Sequence, residues 1–443
     1  MLNWIWLGML LGSVLLAGCT GRLEVLTARA LELARVAVME VALPLVGLLA
    51  LWLGILRLAE RAGLIRALAA LLQPLMRRLF PDVPAGDPAL GAMIMNMAAN
   101  MLGLGNAATP LGLRAMQELA RLNPNPGTAS NAMCTFLAIN TGSLQLIPVT
   151  AISVLAAHQA REPTAIVGTA LVATFCSALT AVTAARLLER LPWFRIPTES
   201  SPQSRLKGAP IAAVEIPSAQ GPVPELRPLT RWARGALTLL ALFFLGLFLA
   251  HLWGGAGPIS HAEHPWAVRG LRAVSLLSVP FLLAFFPLYA ALRGVRVYEE
   301  FVRGARQGLR VAVRILPYLV AMLVAVGMFR AAGGVEWLTR ILGPILAWLG
   351  FPPELLPLAL VRPLSGSGAL GVFTELVQTH GPDSLLARMA GTLYGSTETT
   401  FYVLAVYFGA VGVNRIRHAL WAGMITDLVA MFTSVWLCRW MFT

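Results

Sequence analysis

The residues with chemistry to offer cluster in four short runs. In the first, Asn96, Asn100 and Gly103 recur at helical spacing and share one face, and Gly105, Asn106, Thr109 and Pro110 follow. Gly103, Gly105 and Pro110 favour breaking the helix. A helix broken at membrane depth leaves backbone N–H and C=O groups unpaired, which is tolerated only inside protein or beside a wet cavity. Such groups bind polar solutes or ions. The competing reading is close helix packing, because Gly, Ala, Ser and Asn also populate helix interfaces in membranes. Three Asn and a Pro within fifteen residues favour a site.

The second half carries Arg362-Pro363-Leu364-Ser365-Gly366-Ser367-Gly368. An Arg at membrane depth costs about 2.5–3.5 kcal/mol on insertion scales, so a function is expected of it. Free N–H groups near Gly366 and Gly368, beside a guanidinium, would suit an anion or a polar ring. No Lys follows the glycines, which excludes a nucleotide P-loop. The bland alternative is that Arg362 snorkels or pairs with Glu375 or Glu398.

Next comes Gly395-Ser396-Thr397-Glu398-Thr399-Thr400, with an ionisable Glu in an apolar stretch. Its first-half counterpart is Asn140-Thr141-Gly142-Ser143-Leu144-Gln145, where Gln145 cannot titrate. The residues expected to line a solute site are therefore Asn96, Asn100, Gly103, Gly105, Asn106, Thr109, Asn140, Ser143 and Gln145 from the first half. The second half adds Arg362, Ser365, Gly366, Ser367, Gly368, Ser396, Thr397, Glu398 and Thr399. Glu398 and Asp427 are the candidate proton carriers, the bland role for Asp427 being an uncharged partner to a structural Arg.

The elements that must position these residues are apolar. Of 443 residues, 57% are hydrophobic and 12% charged, with a mean hydropathy of +0.72. Soluble domains carry about 25% charged residues. Lipid is the implied solvent, and the expected fold is all-α: a polytopic membrane protein. Runs long enough to span lie at 3–19, 36–57, 164–186, 232–252, 273–292, 309–329 and 418–442. The stretches 89–112, 130–157, 356–378 and 384–411 are long enough but interrupted by polar residues, Gly or Pro. The total is about eleven embedded elements, some of them not crossing fully. The +13 net charge is almost all Arg placed between apolar runs, a pattern that orients helices and does not read nucleic acid.

Residues 192–230 hold eight prolines with Ser, Gln and charges, and read as a flexible cytoplasmic linker. The halves beside it repeat each other. Leu43-Pro44 opens a helix ending at Arg57, then Ala62-Gly63-Leu64 and Gln73-Pro74-Leu75; Leu316-Pro317 opens one ending at Arg330, then Ala332-Gly333-Gly334 and Gly343-Pro344-Ile345. The glycine-rich breaks and the runs after them follow in the same order. The division is 1–191 for the first repeat, 231–265 for an extra helix and loop, and 266–443 for the second repeat. Arg counts put the linker and the stretches after 36–57 and 273–292 inside, so the helix at 36–57 runs inward and that at 309–329 outward. The repeats are thus expected to be inverted, with broken helices meeting near the membrane midplane.

No nucleophile–base set supports an enzyme, and neither a metal site nor a cofactor is expected. The scattered Cys19, Cys134, Cys176 and Cys438 imply neither disulfides nor zinc, and His261-Ala262-Glu263-His264 lacks a third ligand. Leu15-Leu16-Ala17-Gly18-Cys19 looks like a lipoprotein cleavage site, but no Lys or Arg precedes the apolar run, so an uncleaved first helix is expected.

Asn100-Met101-Leu102-Gly103-Leu104-Gly105-Asn106-Ala107-Ala108-Thr109-Pro110-Leu111-Gly112 resembles the signature of spore maturation protein A. Arg362 to Leu370 and Gly395 to Val403 resemble spore maturation protein B. The resemblance covers about residues 1–195 and 266–443, so the chain looks like a natural fusion of the two. Both families belong to the Gate, or nucleoside-recognition, group. That implies transport or gating of a small polar or anionic solute in the bacterial cytoplasmic membrane, without naming the solute; a homo-oligomer is also compatible. A non-transporting gate or scaffold for a partner membrane protein is the alternative.

Overall fold

A chain dissolved in lipid must satisfy its own backbone, and helices do this within one segment. The computed structural model describes residues 2–84, 86–103, 105–194, 227–253, 265–334 and 348–442, with 337, 340, 341, 344 and 346 between the last two. No strand forms among the described residues; one isolated bridge joins Thr128 and Arg415. Most of the 192–230 linker, and the His261–His264 run, lie outside the described residues.

The first half contains α1 (Leu2–Thr20), α2 (Leu23–Val36), α3 (Leu43–Arg61), α4 (Leu64–Leu79), α5 (Pro88–Met101), α6 (Gly105–Leu122), α7 (Asn131–Thr141), α8 (Val149–Ala157) and α9 (Ile166–Leu188). A π-helical segment, Ala37–Ala42, makes α2 and α3 one continuous rod. Then come α10 (Arg231–Leu252), α11 (Trp266–Leu292), α12 (Val297–Ala331), α13 (Leu356–Val361), α14 (Gly366–His380), α15 (Leu385–Ser396), α16 (Thr400–Gly409) and α17 (Ala419–Phe442).

Among the described residues, six helices are long and apolar enough to cross a membrane: Leu23–Arg61, α9, α10, α11, α12 and α17. On α10 Ala233 alone is buried, and leucines and phenylalanines cover the rest. Such a helix is at home only in lipid. Phe244 on α10 meets Phe281 on α11 edge to face at 5.3 Å.

The four polar-interrupted stretches are all broken. Residues 130–157 become α7 and α8, and 384–411 become α15 and α16, each piece 9 to 12 residues long. At 1.5 Å per residue a piece spans roughly half of a hydrocarbon core about 30 Å thick. Residues 89–112 become α5 and α6, and 356–378 become α13 and α14. Gly103 ends the α5 side of its break in the left-handed region at φ +74°, where a Cβ is disfavoured.

The halves interlock in antiparallel register. Along α12, Phe301, Gly308 and Gly327 meet Gly54, Ala50 and Leu33 in turn, so α12 rises as α3 and α2 descend. A Cβ on Gly308 would lie 2.6 Å from the Ala50 Cα, so the two backbones touch directly. Glu300 closes one end of this contact: its carboxylate accepts from Arg57 Nε at 2.8 Å and Arg61 Nε at 3.3 Å.

Candidate functional site

The two central broken rods, α7–α8 and α15–α16, lie side by side and run in opposite directions. Asn131 accepts from Arg417 at 2.7 Å, Phe136 stacks on Tyr407, Thr141 O accepts from Glu398 N at 2.9 Å, and Arg161 N donates to Asp383 at 3.0 Å. The two breaks therefore meet. Gln145 Nε2 donates to Glu398 Oε1 at 3.3 Å, so these repeat counterparts touch each other. Gly395 packs on Pro148, with space for no Cβ between them (2.5 Å).

A cavity of about 100 Å³ opens at this junction, lined among others by Gln145, Pro148, Arg362, Gly366, Tyr394 and Glu398. That volume holds a few waters or part of a small solute. Arg362 is the central group. It follows the last turn of α13 and is 4% exposed. Its Nη2 donates to Tyr394 O at 3.0 Å and to Thr397 O, and its Nη1 to Thr399 Oγ1 at 3.5 Å. The guanidinium lies 4.6 Å from the centre of the Tyr394 ring, and its Nε has no partner.

Neither carboxylate weighed as its partner pairs with it. Glu375 is held by Arg330 at 2.6 Å, and Glu398 hydrogen-bonds Gln145. Among the described residues no carboxylate lies within 4 Å of Arg362. The guanidinium is therefore held by neutral oxygens and presents its charge to the cavity without a direct ion pair, with Glu398 elsewhere on the same lining. The N-terminus of α14 adds to it, since its first peptide groups carry partial positive charge. Gly366 opens that helix, and a Cβ there would lie 3.0 Å from Thr399 Oγ1 and 3.7 Å from Arg362 Nη1.

The remaining expected residues divide by role. Gly368 N is not free: Ser365 Oγ caps it at 3.0 Å, with Ser367 Oγ 3.5 Å from that hydroxyl. This corrects the expectation of a free N–H at Gly368, because a Ser at the N-cap accepts from the amide two or three residues on. Thr397 and Thr399 hold Arg362, and Ser396 is buried with its hydroxyl 3.2 Å from Ser434 Oγ.

In the first half, Asn96 Nδ2 donates to Ala108 O at 2.8 Å across the α5–α6 break. Asn100 donates to Asn140 Oδ1 at 2.9 Å, and Asn140 donates to Phe136 O. These asparagines tie the broken rods together rather than line the cavity. Gly105 opens α6 and Thr109 is half-buried in it; the Asn106 side chain and Leu104 lie outside the described residues. Ser143 is buried at φ +30°, a strained position for a non-glycine residue, and its hydroxyl is unpartnered.

Asp427 sits behind the junction on α17, buried, with Oδ2 accepting from Thr400 Oγ1 at 2.6 Å and Oδ1 unpartnered. A Cβ on Gly423, one turn before it, would lie 2.7 Å from Thr400 Cγ2 and 3.5 Å from Thr141 Oγ1. Pro148, Tyr394 and Tyr407 were missed from sequence. Tyr394 stands immediately before the Gly395 run, whereas nothing local marks Tyr407, whose hydroxyl fills the space beside Gly112 and Asn96.

Comparison with known proteins fits this duplicated architecture. The Gate family, described as nucleoside recognition, matches residues 42–157 and 312–414. Spore maturation protein B of Bacillus subtilis is 44% identical over 162 residues, covering 37% of this chain and 91% of that protein. Spore maturation protein A of the same organism is 39% identical over 195 residues, covering 44% of this chain and 97% of that protein. Among solved structures, the Alcanivorax borkumensis YdaH transporter aligns over 91% of this chain and 87% of its own, at 16% identity and a TM-score of 0.37. With near-complete counterparts of two such proteins in one polypeptide, the chain belongs to the Gate family of membrane proteins that includes spore maturation proteins A and B.

Proposed function

We propose that this protein is a secondary transporter or permease of the bacterial inner membrane, moving a small polar, anionic solute through the junction of its two halves. The observation that carries the reading is Arg362: buried, without a carboxylate partner, and facing a cavity where broken helices from both halves meet. In this reading the halves form inverted repeats, an arrangement favoured by the antiparallel register of α7–α8 against α15–α16. Solute is held by the Arg362 guanidinium, the start of α14 and the Gln145 amide. Glu398, at the same cavity, is the group that takes up or releases a proton as the solute passes.

Thermal-shift screening of the purified protein with nucleosides, dicarboxylates and divalent metal ions identifies the solute class. Uptake of the responding compound into proteoliposomes then tests the roles. Removing a charge-assisted contact typically costs about 1.5–3 kcal/mol, so Arg362→Ala is expected to lower uptake at low solute concentration about tenfold or more. Glu398→Gln should leave binding in place and abolish the pH dependence of uptake. Normal transport by both variants would remove the assigned roles. No uptake of any compound by the wild-type protein, with saturable capture of a membrane protein, would favour a non-transporting gate.

A further inference from the structure

A second cavity, of about 180 Å³, lies at the opposite end of α11 from the Arg57–Glu300 cluster. Arg269, Arg272 and Arg388 line it with His251, Ser275 and Glu162, so guanidinium groups outnumber carboxylates three to one. The lining comes largely from helix ends: the last turn of α10, the first turns of α11 and α15, and the last residues of α17. Its walls are built. Ser275 accepts from Gly168 N at 2.9 Å and donates to Ala165 O at 3.2 Å, fixing α11 to α9. Arg272 donates to Met441 O at 3.2 Å, and Arg388 lies 4.4 Å from the centre of the Phe442 ring. Among the described residues neither Arg272 nor Arg388 has a carboxylate within 4 Å.

Tryptophan marks the level of this cavity. Trp253 follows α10 and Trp266 opens α11, at 77% and 79% exposure, and Trp436 stacks on the exposed Trp440 near the end of α17. Exposed Trp concentrates where hydrocarbon meets headgroups. Beside the cavity, α10 presents Leu239, Leu242, Phe243 and Leu245 outward, a surface fit for acyl chains and of no use to a free ion. Guanidinium groups match phosphate oxygens in geometry as well as charge.

We propose that this cavity binds the phosphate-bearing headgroup of an anionic phospholipid, whose chains lie along α10. A guanidinium pairs with phosphate oxygens through charge-assisted hydrogen bonds, and each basic residue near an anionic membrane surface contributes about fivefold in affinity.

The test is native mass spectrometry of the full chain taken from vesicles of phosphatidylglycerol and phosphatidylcholine in equal parts. The wild-type protein should retain phosphatidylglycerol in preference. Arg388→Gln should weaken that preference about fivefold, and Arg272→Gln with Arg388→Gln about twenty-five-fold. Arg388→Lys, which keeps the charge and loses the planar stack on Phe442, should retain most of it and so separates charge from packing. Equal retention of the two lipids, or an unchanged preference in Arg388→Gln, overturns the proposal. So does full displacement by millimolar inorganic phosphate that also stabilises the lipid-free protein, because the cavity would then be a free-anion site.

Discussion

At the scale of single residues, the chemistry rests on which charges are neutralised and which are not. Arg57, Arg61 and Arg303 converge on Glu300, a compensated cluster that holds α3 to α12. Removing one partner of a buried ion pair typically costs about 3–5 kcal/mol. Glu300→Gln is therefore expected to destabilise the protein by about 3 kcal/mol, read as a lowered melting temperature, while solute affinity per folded molecule stays unchanged. Arg362 is the opposite case, a cation whose direct partners are all neutral oxygens. His418, in the loop before α17, is fully buried with both ring nitrogens unpartnered. Burial, with the adjacent Arg417, pushes its pKa down from 6.5 to about 4. The folded protein thus holds this imidazole neutral, while the unfolded chain protonates it near 6.5. Its effect on stability is absent above pH 6.5, and stability is lost as pH falls from there toward 4. Melting curves of His418→Leu should show a flatter decline over that window than the wild type; parallel curves would mean that other groups govern acid sensitivity.

At the scale of elements, glycine decides how closely rods approach and where they stop. Gly308 rests on the Ala50 backbone, which cannot move aside as a side chain could. Overpacking typically costs about 1–3 kcal/mol, so Gly308→Val should lower stability by at least that amount and loosen the α3–α12 contact. Gly47, with open space around it, provides the control: Gly47→Ala should be neutral or slightly stabilising. Ser143 gives an opposite expectation. Its φ of +30° lies where a Cβ is strained, so Ser143→Gly should stabilise the break by about 1 kcal/mol, provided the unpartnered hydroxyl holds no solute. A fall in solute affinity with a rise in melting temperature would assign that hydroxyl to binding.

At the scale of the whole molecule, neither half builds the cavity alone. Gln145 and Pro148 come from one side of the linker, and Arg362, Tyr394 and Glu398 from the other. Association rests on contacts distributed along the chain, from Asn131–Arg417 through Thr141–Glu398 to Arg161–Asp383, and on the long α3–α12 seam. Covalent continuity between the halves should then be dispensable. Two polypeptides, 1–206 and 208–443, expressed together are expected to co-purify in detergent and to regain the thermal shift of the intact protein. Separate folding without association would place the two sets of broken helices in independent units.

The sequence by itself determined the solvent, the duplication and the places where helices break. These follow from local causes: apolar run length, and Gly, Pro and Ser at fixed places in each repeat. The four interrupted stretches were legible for that reason, as was the likeness to the spore maturation families. Which polar residues face the cavity was not legible. Asn96, Asn100 and Asn140 look as hydrophilic in sequence as Arg362 and Glu398, yet the fold spends the asparagines on carbonyls and on each other. For Asn96 and Asn100 the partners lie 12 and 40 positions away, and spacing along one helix does not encode them. Only the tertiary structure could also leave Arg362 without an acid, because Glu375 and Glu398 were each near enough in sequence to serve. Packing gave one to Arg330 and the other to Gln145.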